Sequence, residues 1–250
     1  MSRLLSGKLG VDQLDLASFL AICGVTGEER SRLLALNSEG IRPGWLQQYG
    51  SSLPEQLTTL VNHEIKAVEI HEFEPLRIPG LLQTADYARA LLERSASVPA
   101  AEVQTRVDAR LARQGLFNRD HRPKLGFFLH EFVLRLPVGS AEVMSGQLHH
   151  LLQMGVRSYI TIRVIPAVFG AHAAMAGACR LMEFAEFKPI VYVEEQTAGH
   201  FLEEPDEISI YRVIFDSLAS CALDEGQSRD LIAALAVELY ADREDRDDRD

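Results

Sequence analysis

The sequence predicts an α+β fold in which a mixed helix and sheet domain follows a small helical segment. Three observations carry this. Strand-like runs and amphipathic helical runs follow one another in irregular order, without the regular βαβ alternation of a parallel sheet. A stretch rich in glycine, serine and proline at 39–54 separates the first 38 residues from the body. The chain of 250 residues is 47% hydrophobic and 24% charged, an ordinary globular balance in a length that buries a core without staples.

Taken in order, Leu14, Leu16, Phe19, Leu20 and Ile22 recur at helical spacing over 12–23, and Gly24 stops that helix. Thr26 caps a second helix running to about residue 36, with Glu28 and Glu29 favourably placed in its first turn. Trp45 and Tyr49 are expected to dock the linker. In the body, periodicity predicts helices over 55–71, 84–95, 100–117, 141–155, 205–222 and 225–240. Strands are expected over 124–134, 160–165, 180–184 and 190–194, where β-branched and aromatic residues concentrate. The last ten residues, 241–250, offer almost nothing to bury and are expected to be a disordered acidic tail.

Composition excludes several classes. Cys23, Cys179 and Cys221 lie far apart with no CxxC spacing, against a zinc site or a disulfide framework and in keeping with a reducing cytoplasm. The start carries no apolar secretion signal, and no run of about 18 apolar residues occurs. The expectation is a cytoplasmic protein without membrane contact. The formal net charge is −11, of which the tail supplies −3 and the first 38 residues nothing, leaving −8 in the body. A nucleic-acid binder concentrates positive charge against phosphate, so any DNA contact here has to be local and shared between subunits.

Tests for catalytic motifs fail. The pairs His63-Glu64, His71-Glu72 and His130-Glu131 lack the second histidine of HExxH, since Ala67, Pro75 and Leu134 stand there. His149-His150 faces two directions on one helix. No GxSxG elbow, Walker loop or GxGxxG is present, and no metal, cofactor or catalytic residue is assigned. The cluster Glu64, Glu69, Glu72 and Glu74 reads as the exposed face of a helix and its exit loop, with a cation or basic partner as the alternative. Pro79-Gly80 makes a tight turn before Leu81-Leu82 bury and Gln83 and Thr84 start the next helix. Glu131, expected on an apolar strand, and Glu194 are costly to bury unpaired, and Arg110 and Arg113 are plausible partners. Such groups form either an ion-pair network that fixes the fold or a ligand pocket.

At 78–89 the chain reads IPGLLQTADYAR, and ordered motifs surround it: Glu64, Ala67, Ile70 and Glu74-Pro75 before; Arg110, Arg113 and Gln114 in ARLARQ; Glu131, Leu134 and Arg135 in HEFVLRLPVG; then Gln147-Leu148 and Leu151. VIPAVFGAHAAMAG supplies Pro166, Gly170 and His172, IVYVEEQTAGHFLE supplies Tyr192 and Glu194, and ALDEGQSRDLI closes the series. Over roughly 55–235 this resembles the C-terminal domain of antitoxin-like, XRE-type bacterial transcriptional regulators (WhiJ-like proteins). The first 38 residues resemble the end of that family's helix-turn-helix head, with Ser2, Arg3, Ser6 and Lys8 as the remnant of the DNA-contacting exit from its recognition helix. The first two helices and most of the recognition helix have no counterpart, so the head reads as truncated and direct DNA contact is expected only from a completed head.

The resemblance implies a transcriptional regulator whose 55–240 domain senses a small molecule or a small acidic or toxin-like protein, with DNA bound only if the head is completed, as a homodimer. The candidate ligand or partner pocket comprises Glu64, Gln83, Tyr87, Arg110, Arg113, Gln114, Glu131, Gln147, His172, Tyr192 and Glu194. The alternatives are a DNA-independent small-molecule-binding protein, or an enzyme using Glu131, Glu194, His172 or Tyr192 as acid–base groups.

Overall fold

The computed structural model describes residues 13–40, 55–196 and 198–247. Ser2, Arg3, Ser6 and Lys8, and the linker aromatics Trp45 and Tyr49, lie outside the described residues. The chain divides into two compact units, Met1–Gly50 and Ser51–Asp250. The first carries helices α1 (Gln13–Ile22) and α2 (Gly27–Gly40). Gly24, at φ +72°, ends α1 in a Schellman turn: Val25 N–H reaches back to Leu20 O at 2.9 Å and Gly24 N–H to Ala21 O at 3.1 Å. Glycine takes that left-handed backbone without a Cβ clash.

The second unit is α+β, built on a six-stranded mixed sheet of order β3-β2-β1-β4-β5-β6. Its strands are β1 (Glu69–Glu74), β2 (Lys124–His130), β3 (Ile160–Ile165), β4 (Cys179–Glu183), β5 (Ile190–Glu194) and β6 (Gly199–Leu202). β1, β2 and β3 pair in parallel and β4, β5 and β6 antiparallel, with β1 antiparallel to β4 at the junction. The parallel half needs long crossovers. These are α4 (Ala85–Glu93) with α5 (Val103–Arg113), then α6 (Glu131–Arg135) with α7 (Ala141–Met154). α3 (Glu55–Lys66) precedes the sheet, and α8 (Pro205–Cys221) and α9 (Glu225–Asp247) follow it.

Side chains alternate across each strand, so the sheet has two different faces. Phe73, Phe128, Leu181 and Val191 pack under Phe215 and Leu218 of α8. Arg163 of β3 fixes the end of that helix, donating to the carbonyls of Ala219, Ala222 and Leu223 at 2.7–2.8 Å. On the other face Ile70, Leu125, Phe127, Leu129, Ile160 and Val164 pack with Leu148 and Leu151 of α7 and Ile232 and Leu235 of α9. The result is a three-layer domain with the sheet in the middle.

Two expectations are corrected. The helix expected over 55–71 ends at Lys66, and Glu69–Glu74 is the central strand β1. Its alternation sends Ile70 and Phe73, both fully buried, to opposite faces, which no helix could do. The strand expected over 124–134 ends at His130, whose Nδ1 accepts Phe132 N–H at 3.1 Å and starts α6. Glu131 therefore sits in a helical first turn, not on an apolar strand. β6, four residues long, went unread because GHFL carries too little pattern to register. The α9 backbone continues to Asp247, into the segment expected to lack structure.

Candidate functional site

The site grows from the turn between β1 and α4. Pro79 leads into the 3-10 turn Gly80–Leu82, which buries Leu81 and Leu82. Thr84 caps α4 by accepting Tyr87 N–H at 3.3 Å. Three predicted pocket residues prove to be braces of this turn. Tyr87 accepts Ile78 N–H on its hydroxyl at 3.1 Å. Gln147 of α7 accepts Thr84 N–H at 2.8 Å and donates to Leu82 O at 2.7 Å. Gln114 donates to Gln83 O at 2.6 Å. Gln83 spends its own amide on both sides, donating to Ile78 O at 2.6 Å and accepting Arg110 Nη1 at 2.7 Å.

Beyond this turn lies a cavity of about 440 Å³ between the ends of α3 and α5 and strands β1, β4 and β5. Gln83, Arg110, Arg113, Tyr192 and Glu194 line it. Glu64 stands behind the wall, 1% exposed, and takes the Arg113 guanidinium through two bonds of 2.6 and 3.2 Å. It also accepts from Arg180 Nη1, whose Nη2 donates to Glu72 at 2.5 Å. Arg77 Nε donates to Glu74 at 3.2 Å and Arg77 Nη2 to Glu194. Two buried atoms of this network, Glu72 Oε2 and Arg180 Nε, take no protein hydrogen bond.

Two glycines make room for it. A Cβ on Gly199 of β6 would lie 2.5 Å from the Tyr192 hydroxyl, so the bare backbone lets that ring lie across the strand. A Cβ on Gly80 would meet Arg113 Nη1 at 3.2 Å.

Electrostatics divide the carboxyls. Burial alone would raise Glu64, but Arg113 and Arg180 outweigh it and hold the group below the usual carboxylate range. Burial likewise acts to raise Glu194, and Arg77 overcomes it. For Glu74 burial wins: with Glu72 adding to it and Arg77 and Arg180 opposing, its carboxyl is pushed up to about 7. Burial and then Glu194 push the Tyr192 phenol up to about 12, which keeps it a neutral donor at ordinary pH. Arg110 is pulled down to about 10, by burial first and then by the positive charges of Arg113 and Arg77.

Two predicted pocket residues lie elsewhere. Glu131, in the first turn of α6, accepts Arg135 Nε at 2.9 Å and Ala167 N–H at 3.0 Å. His172 packs against Phe73 and His130 on the α8 side of the sheet, with ring centroids 5.2 and 6.0 Å away. Tyr192 faces the opposite side, so these groups share no cavity. The Glu64, Glu69, Glu72 and Glu74 cluster is not an exposed helical face. Glu69 is half-buried, while Glu64, Glu72 and Glu74 are buried.

Sequence reasoning missed Glu72, Glu74, Arg77, Arg106 and Arg180 as cavity residues. A signal existed for two of them. Ile70, Glu72 and Glu74 alternate with His71 and Phe73 at the period of a strand, which puts both glutamates on the face of buried Ile70. Arg180 had a weaker one, a lone charge inside the apolar run of β4.

Among the described residues, no three His, Cys, Asp or Glu side chains come together as a metal site, and no helix is long and apolar enough to cross a membrane. The protein family described as a domain of unknown function (DUF5753) matches residues 57–234. No curated protein and no solved structure matches the chain.

Proposed function

Because the chain belongs to the DUF5753 family, whose description names no activity, we propose from the cavity itself that the body is the small-molecule sensor of a bacterial transcriptional regulator. The observation that carries this reading is the cavity of about 440 Å³ walled by arginines, glutamates and Tyr192. Small-molecule pockets are clefts of about 300–1,000 Å³ with a few convergent polar groups, and this one falls in that range.

The regulator half of the reading rests on the resemblance to XRE-type, antitoxin-like proteins. In it, a completed helix-turn-helix head reads DNA as a homodimer, and ligand occupancy biases that binding. Gln83 supports a route for the bias, because one amide joins cavity-lining Arg110 to the turn that starts α4. The enzyme alternative is disfavoured by the separation of Glu131 and His172 from Tyr192 and Glu194.

The test is direct. Protein purified from its own cells, with the reading frame upstream of Met1 included, should release a small molecule on denaturation, detected by mass spectrometry. The same molecule added back should raise Tm and shift the midpoint of binding to the protein's own promoter. Protein that is empty, and whose Tm responds to no fraction of a cell extract, would overturn the proposal.

A further inference from the structure

We propose that the cavity takes a small organic anion, whose carboxylate or phosphate group seats on the guanidinium of Arg110. This deepens the sensor reading and rests on the cavity being a small-molecule site.

The pairing pattern around the cavity carries the argument. Every buried carboxylate has a guanidinium: Glu64 takes Arg113 and Arg180, Glu72 takes Arg180, and Glu74 shares Arg77 with Glu194. Arg106, also on the wall, pairs with Glu102 at 2.8 Å. Among the cavity-lining arginines Arg110 stands apart, since its one acceptor among the described residues is the neutral amide oxygen of Gln83 at 2.7 Å. A guanidinium presents five N–H donors in a fixed fork. One is used here, and the fork is matched to the two parallel bonds that a carboxylate or phosphate accepts.

Charge points the same way. Burial acts first to disfavour the cationic form of Arg110, and the repulsion of Arg113 and Arg77 adds to it, exceeding the attraction of Glu194 and Glu74. An arriving anion relieves both, because it replaces lost water and adds counter-charge. An arriving cation finds Glu72, Glu74 and Glu194 of the wall already paired with guanidinium groups, and the remaining wall carboxylate, Glu195, exposed to solvent. Near neutral pH the raised Glu74 carries only part of its negative charge, which tilts the balance further towards anions. Leu57, Leu60 and the Tyr192 ring supply an apolar wall for a carbon body behind the acidic group. A bare inorganic ion would leave that wall unused.

The experiment compares ligands of one shape and different charge. The full chain is titrated at neutral pH and constant ionic strength with benzoate, phenyl phosphate, benzamide, benzylamine and inorganic phosphate, followed by Tm and calorimetry. Wild type should bind benzoate or phenyl phosphate at least tenfold more tightly than benzamide or benzylamine, and more tightly than inorganic phosphate. Arg110→Met should lose that preference at least tenfold, and Arg110→Lys should keep part of it, retaining charge without the fork. The wild-type ranking stands as a test even if Arg110→Met fails to fold. Benzamide or benzylamine binding as well as the anions, or Arg110→Met binding anions within twofold of wild type, would overturn the assignment and leave the cavity a ligand site. If no probe binds, the charge of the molecule released from the natural protein decides: an anion supports the assignment, a neutral or cationic molecule overturns it. A protein that is also empty removes the sensor reading and this assignment together.

Discussion

One face of the sheet is built in two opposite ways. Over β2 and β3 it is dry: Leu125, Phe127, Ile160 and Val164 meet Leu148 and Leu151 of α7, all 2% exposed or less. Over β1, β4 and β5 the same layer holds Glu64, Glu72, Arg113 and Arg180 beside a cavity. Apolar burial of the first kind stabilises by about 25 cal/mol per Å² removed from water. Buried ion pairs of the second kind roughly return their desolvation cost, and hydrophobic replacements of equal volume are often as stable or more so. The fold thus draws its stability from one half and keeps in the other an arrangement that stability alone does not require. That asymmetry is the physical reason to look for binding over the charged half.

Breaking the charged half should give the largest effect. Arg180→Met removes the cation shared by Glu64 and Glu72 and leaves buried charge uncompensated, a loss of about 3–5 kcal/mol in urea unfolding. Replacing Glu64, Glu72, Arg113 and Arg180 together by Leu, Leu, Met and Met should recover most of that loss while abolishing ligand binding. If the quadruple variant is as unstable as the single one, the network is structural and the comparison fails.

In the dry half, Leu148→Ala should cost about 3 kcal/mol by cavity formation. Its ligand affinity should stay within twofold of wild type, because Leu148 is absent from the cavity wall.

Glu74 sharpens the contrast through pH. Its folded value of about 7 lies above the ordinary 4.5, so the folded state binds the extra proton between them. Its contribution is favourable at low pH and is lost as pH rises from about 4.5 to about 7, by an amount on the order of 1–3 kcal/mol. Glu74→Gln should therefore gain stability relative to wild type as pH goes from about 5 to about 8 in paired urea titrations. A difference that stays flat over that range would show that Glu74 titrates normally.

The smallest effect belongs to an ion pair outside both halves. Arg212 forks onto Glu183 with bonds of 2.8–3.1 Å, but its side chain is 52% exposed. Arg212→Ala should cost less than about 1 kcal/mol and should lose even that in high salt.

Much of the fold was legible in the sequence. β3 and β5 fall where ITIRVI and IVYVE predict them, and α7 and α8 match their periodic runs to within a residue. These segments announce themselves because each buries a regular apolar pattern of its own. β1 was misread because three of its six residues are glutamates, a composition that reads as solvent-facing. Of the cavity lining, the sequence singles out Arg110, Arg113, Gln83, Tyr192 and Glu194 but not Arg77 or Arg180.

The sequence by itself determined the α+β class, most element positions and the apolar faces, since those follow from local periodicity and turn chemistry. Only the tertiary structure decided which charges are buried and with whom. Glu64 meets Arg113 across 49 positions and Arg180 across 116, and Arg77 meets Glu194 across 117. No local pattern encodes such pairings. A glutamate is tolerable inside a protein only when a distant guanidinium arrives to compensate it, and that arrival is a property of the folded chain.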